Sequence, residues 1–101
     1  MRMMILFDCP LEPFNTMVRK GTAGPAIKKV LDEIKPEAAY FGERNGKRSG
    51  VMIVDVPKSS DIPRLAEPFF LTFNAEVEFR VVMTPEDLGK AGLEELGKKW
   101  S

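Results

Sequence analysis

The sequence contains no histidine. That absence removes the side chain that most often acts as a general base near neutral pH, and with it the usual haem ligand and most zinc sites. A single cysteine can form neither an intramolecular disulfide nor a multi-cysteine metal centre, a composition that suits a reducing, cytoplasmic setting. Neither sign of charge is in excess. Fifteen Lys and Arg balance fifteen Asp and Glu, so no overall field draws the chain to nucleic acid or to an anionic membrane. Long hydrophobic runs are missing as well: MMILF, residues 3–7, ends at Asp8, too short for a signal-peptide core or a membrane span. No metal and no cofactor is expected, and any chemistry must use other groups.

What is present reads as one domain over residues 1–101, a length that supports a hydrophobic core and leaves room for further burial through association. MRMMILFD, closed by Asp8-Cys9-Pro10, predicts a buried strand over residues 2–8. Pro13 can open a helix in which Phe14, Met17 and Val18 share a face, and Ile27, Val30, Leu31 and Ile34 define a second helical stripe that Pro36 ends. At about 100° per residue these stripes would point roughly 140° apart on one continuous helix, so they cannot both face one core. Gly21-Thr22-Ala23-Gly24 is therefore expected to interrupt the helix, with Gly24 near the new N-cap and Pro25 at the first helical position. A phosphate loop would need a preceding strand, wider glycine spacing and a Lys-Ser or Lys-Thr pair, all missing here. The alternative is anion binding at the second helix's N-terminus, assisted by Arg19 or Lys20.

Asn45-Gly46 is a strong two-residue hairpin signal, because both central positions of a type I′ turn need positive φ. Strands of residues 38–44 and 47–56 follow. Paired numbers then sum to 91, which sets Glu43 opposite Arg48, Phe41 opposite Gly50 and Tyr40 opposite Val51. One face of the hairpin carries Ala38, Tyr40, Val51 and Ile53, and the other Ala39, Phe41, Met52, Val54 and Val56. Both are apolar, so both need cover, and one layer of helices supplies only one. Ser59-Ser60-Asp61 should cap a helix bearing Ile62, Leu65, Ala66, Phe69 and Phe73, with a kink or restart at Pro68. Residues 75–83 alternate as a strand, and Thr84-Pro85 starts a loose C-terminal amphipathic helix carrying Leu88, Leu93, Leu96 and Trp100.

The order βαββαβ plus a terminal helix predicts an α+β, ferredoxin-like domain with an antiparallel sheet. The doubly apolar hairpin makes it resemble the dimeric α/β barrel proteins, whose sheets meet face to face. More specifically, EPFNTMVRKGTAG, KPEAAYFGERNGKRSG and DIPRLAEPFFLTFNAEVEFRVVMTPEDL resemble a small family of uncharacterised bacterial proteins in that superfamily. The resemblance implies a homodimer and no particular reaction. Relatives in the superfamily include cofactor-free monooxygenases, muconolactone isomerases and haem-degrading enzymes; the last commonly use a histidine, which this chain lacks.

RNA-recognition modules share the element order but carry aromatic residues on their third strand, where this chain has Ser49, Val51 and Val54. Nucleic acid is therefore not an expected partner. Cys9 follows the first strand with no histidine to activate it, and reads as an inert loop thiol; Asp8 and Cys9 alone do not make a metal site. Glu78 and Arg80 share a strand face, either as an ion pair or as a ligand-anchoring arginine with a neighbouring carboxylate. Tyr40 suits a core position with a satisfied hydroxyl or a pocket donor equally. Asn15 and Asn74 sit at or beside expected helix ends, where capping competes with ligand contact. The expectation is a homodimer that binds a small, largely apolar ligand between sheet and helices through Tyr40, Arg80, Glu78, Asn15 and Asn74, with cofactor-independent monooxygenase- or isomerase-like chemistry open to it. The alternative is a non-catalytic dimeric structural or interaction module.

Overall fold

The computed structural model describes residues 1–101. Strand β1 (Arg2–Cys9) is followed by helices α1 (Phe14–Lys20) and α2 (Ala23–Ile34), strands β2 (Ala38–Arg44) and β3 (Lys47–Asp55), helix α3 (Ile62–Phe73), strand β4 (Glu76–Val81) and two short helices, α4 (Pro85–Gly89) and α5 (Leu93–Lys99). The four strands form one antiparallel sheet in the order β2-β3-β1-β4. This is the α+β, ferredoxin-like arrangement expected from the element order.

The hairpin register is the expected one. Asn45 and Gly46 have φ of 55° and 77°, as a type I′ turn requires, and Glu43 pairs with Arg48, Phe41 with Gly50 and Tyr40 with Val51. Side chains of alternating parity therefore part to opposite faces. Met3, Ile5, Phe7 and Cys9 of β1 join Met52 and Val54 of β3 on the buried face, where Val30, Ile34, Leu65, Phe69 and Phe73 of the helices close the core.

Between α1 and α2 the chain ends one helix before starting the next. Gly21 is left-handed at φ 74°, the Gly21 N–H donates to Val18 O at 3.1 Å and the Thr22 N–H to Met17 O at 2.8 Å. This pair of bonds is a Schellman end. These bonds close α1 at Gly21, so the chain is re-aimed there before α2 begins. The new helix begins at Ala23 with Thr22 as its N-cap, two residues ahead of Pro25, the expected first helical position. Other boundaries move as well. Cys9 belongs to β1 and not to a loop, β4 stops at Val81, and α3 runs through Pro68 without a restart. The expected C-terminal helix is split at Gly92, left-handed at φ 74°, and every residue from Pro85 to Ser101 is exposed. This arm gives the molecule a longest dimension of 60 Å and a radius of gyration of 17.1 Å, against about 13 Å for a compact chain of this length.

Gly50 sets the contact between sheet and helices. A Cβ built there would lie 2.7 Å from Phe7 Cε1 and 2.8 Å from the Tyr40 carbonyl oxygen, so the Phe7 ring occupies the space a side chain would take. From that position it stacks on Phe69 with centroids 4.6 Å apart and meets Phe41 edge-on at 6.2 Å. Gly50→Val should destabilise the fold by about 1–3 kcal/mol, the usual cost of overpacking a filled core, as read from urea denaturation. An unchanged midpoint would mean that Phe7 does not hold this position.

Candidate functional site

Of the five residues expected to form a site, none lines the cavity between sheet and helices, and Asn15 alone reaches it indirectly, through a bond to Arg48. Tyr40, Glu78 and Arg80 lie on the opposite, outer face of the sheet. There, two rows cross all four strands: Tyr40, Val51, Leu6 and Glu78 in one, Ala38, Ile53, Met4 and Arg80 in the other. Tyr40 is 69% exposed. Arg80 Nη2 and Glu78 Oε2 pair at 3.3 Å along the exposed edge of β4. Asn74 is the left-handed C-cap of α3 at φ 53°, the capping role that asparagine's tolerance of this conformation allows. Asn15 lies inside α1 and is not a cap; its Oδ1 accepts a 2.7 Å hydrogen bond from Arg48 Nη1.

Arg48 opens onto a cavity of about 220 Å³ between the sheet and all three core helices. Phe7, Phe41 and Met52 of the sheet, with Phe14, Phe69 and Phe73 of the helices, form most of its apolar wall. Cys9 of β1, a short inner-facing side chain, also lines it, while Ser49 and Gly42 border it without directing a side chain at the helices, since Ser49 Oγ turns to Asp8 on the outer face. The aromatic wall is ordered in sequence. The Arg48 guanidinium carbon lies 4.7 Å above the Phe14 ring centroid, a cation–π distance, and Phe14 stacks on Phe73 at 5.2 Å. One polar group thus sits at the rim of an otherwise apolar space, the usual constitution of a small-molecule pocket.

Cys9 lines this cavity and is 3% exposed. Burial raises its thiol pKa and the neighbouring Arg48 lowers it by less, so the thiol stays protonated and is a poor nucleophile. No three cysteine, aspartate or glutamate side chains converge in a metal-binding arrangement.

A second polar cluster occupies the outer face at the other side of the same strand ends. Asp8 accepts from Arg44 through both carboxylate oxygens and from Ser49 Oγ. The Arg44 hydrogen bond, then that of Ser49, holds the Asp8 carboxyl below its ordinary pKa. The sequence offered a signal for both arginines in their strand parity. Arg44 has the parity of Tyr40, and Arg48 that of Met52 and Val54, so Arg48 is a charged residue on the core-facing side.

No protein-family model and no curated protein matches the chain. Solved structures that resemble it include a formyltetrahydrofolate deformylase from Pseudomonas putida KT2440, at 13% identity and a TM-score of 0.49 over 81% of this chain and 29% of that one. Two de novo designed proteins also resemble it: Foldit4, at 20% identity and a TM-score of 0.44 over 82% of this chain and 97% of that one, and Ferredog-Diesel, at 8% identity and a TM-score of 0.44 over 79% and 83%.

Because the folded-state pKa of Asp8 is depressed, its ionised form stabilises the fold above the ordinary aspartate pKa, and that contribution is lost as pH falls through the lowered value. Carboxyl titration followed by NMR should place Asp8 below the ordinary aspartate value, and Arg44→Met should move it upward. An Asp8 titration unmoved by Arg44→Met would mean that the pair does not form in solution.

Proposed function

We propose that the protein is a cytosolic homodimer of the dimeric α/β barrel kind that binds a small, largely apolar molecule in the cavity between sheet and helices. The cavity carries this reading: aromatic walls enclose a space that the chain's own side chains leave unfilled, with Arg48 at its rim. Asn15 belongs to the site through its bond to Arg48. The lining holds no nucleophile–base pair, since the only thiol is kept protonated and no histidine is available, so binding is the activity supported best. Any cofactor-independent turnover would depend on the reactivity of the ligand itself.

Pairing is supported by the outer sheet face. Met4, Leu6, Ala38, Val51 and Ile53 are only half-buried there, at the centre of two continuous rows that helices do not cover. A second copy suits this patch because the chain's net charge is zero, so two copies do not repel, and a two-fold axis lets one patch cover itself. Glu78 and Arg80 satisfy each other at its edge, and Asp8, Arg44 and Ser49 do the same at its end. That mutual satisfaction favours an interface role for Glu78 and Arg80, and for Tyr40 exposed in the row of Glu78, as in the structural-module alternative, and leaves ligand contact to the other face.

Two measurements test the proposal. Sedimentation should give a dimer at micromolar concentration, and Val51→Glu, which sets a charge at the centre of the outer face, should give a folded monomer; a monomeric wild type would remove the pairing. In a thermal-shift screen of aromatic acids, quinones and other small apolar compounds, a cavity ligand at a hundred times its Kd should add about 2.7 kcal/mol to native stability, roughly 10 °C or more in Tm for a chain of this length. No shift with any compound would leave the non-catalytic interaction module as the better reading.

A further inference from the structure

The geometry points to a specific class of ligand: a small monocarboxylate whose apolar body, one ring or a short branched chain, fills the cavity while its carboxylate is held by Arg48 with Asn15 beside it. This rests on reading the cavity as a ligand site, and adds what that site selects.

Three observations carry it. The first is the state of the Arg48 guanidinium. It is half-buried at the cavity rim and packed over Phe14, yet it takes part in no ion pair within 4 Å. One N–H is engaged by a neutral acceptor, Asn15 Oδ1, and the remaining donors of its planar fork have no protein partner. A partly desolvated arginine of this kind is matched best by a carboxylate, which can accept two parallel N–H bonds.

The second is that the nearby protein carboxylates are committed elsewhere. Glu43, the cross-strand neighbour of Arg48, accepts from the Gly46 N–H at 3.0 Å in the hairpin turn. Glu12 accepts from both the Thr16 N–H and Thr16 Oγ1, at 3.1 and 2.7 Å, and faces Arg19 at 3.7 Å. Asp8, on the other face, is occupied by Arg44 and Ser49. The outer-face arginine therefore has its carboxylate within the chain, and the cavity arginine does not.

The third is size. An apolar cavity of about 150 Å³ takes up benzene, whereas pockets for drug-sized ligands begin at about 300 Å³. The present 220 Å³ suits one ring with a short acidic substituent, stacked among Phe7, Phe14, Phe69 and Phe73. A dianion or a polyol is disfavoured, because the rest of the lining has almost nothing to satisfy further polar groups.

The test compares benzoate and phenylacetate with their neutral amides, benzamide and phenylacetamide, on the full chain. Affinity is read from thermal shift across a concentration series. Location is read from Cys9, the only cysteine and part of the cavity wall, whose alkylation by iodoacetamide, run at alkaline pH because burial keeps the thiol protonated, a bound ligand should slow. The acids should bind about tenfold or more tightly than the amides, the scale of a charge-assisted bond, and both should protect Cys9. Arg48→Gln should abolish the acid-over-amide preference. Should that variant fail to fold, Asn15→Asp serves instead: it places a carboxylate next to Nη1, occupies the fork, and should weaken acid binding while sparing the amides.

Amides that bind as well as acids, or an acid preference that survives Arg48→Gln or Asn15→Asp, would overturn the carboxylate assignment and leave the cavity reading in place. Acid binding without protection of Cys9 would put the anion elsewhere and overturn the assignment as well. If neither acids nor amides protect Cys9 or raise Tm, the cavity is not a ligand site and both readings fail together.

Discussion

Phe7 can lie across β3 only because residue 50 has no side chain, and the contact between sheet and helices follows from that placement. A phenylalanine standing upright on a strand would meet the helix layer at its tip. With its ring laid over Gly50, Phe7 instead presents a face, on which Phe69 stacks at 4.6 Å. Phe69 in turn fixes α3 over the centre of the sheet, where Ile5, Met52 and Val54 are almost wholly buried. One step further along the strands this filling stops. Cys9 is too small to continue it, and Ser49 and Gly42 put no side chain on this face, so the aromatic layer that closes the core also becomes the wall of an unfilled space.

Two arginines near the hairpin turn show how strand parity divides the chemistry. Arg44 and Arg48 lie on adjacent strands, and their side chains leave the sheet in opposite directions. On the outer face Arg44 finds Asp8, and the pair is completed by Ser49. On the inner face Arg48 finds a ring and an amide. An arginine tolerates such surroundings better than a lysine would, since its delocalised charge is more weakly hydrated and its plane stacks on an aromatic face. The same residue type is thus a completed structural pair on one side and an unfilled donor fork on the other.

Much of the fold was legible because its strongest signals are local. Asn45-Gly46 sets a two-residue turn, the turn sets the register, and the register assigns every hairpin side chain to a face, as Tyr40 opposite Val51 and Phe41 opposite Gly50 bear out. The glycines at 21 and 24 were legible as a helix break because two apolar stripes could not share one helix. The site was less legible for a definite reason. Alternation shows which residues share a face, but Tyr40, Glu78 and Arg80 are polar groups among apolar neighbours, and that trait belongs to a sheet's outer surface as much as to a pocket. The cavity depends on where α1 and α3 stop relative to the strand ends, a long-range distance that no short stretch encodes. Asn15 sits near a helix end in the sequence, yet its partner lies 33 residues away, beyond any local pattern.

The exposed C-terminal arm has a consequence for how this molecule appears to light. Its only tryptophan, Trp100, is 77% exposed, and its only tyrosine, Tyr40, is 69% exposed on the uncovered sheet face. The packed interior is aromatic, but through phenylalanine alone. Indole and phenol emission therefore report on the periphery and stay nearly silent about the core, whose melting must be followed through the backbone. A change in the colour of the tryptophan signal would mark something settling against the arm, whether or not the fold itself had altered.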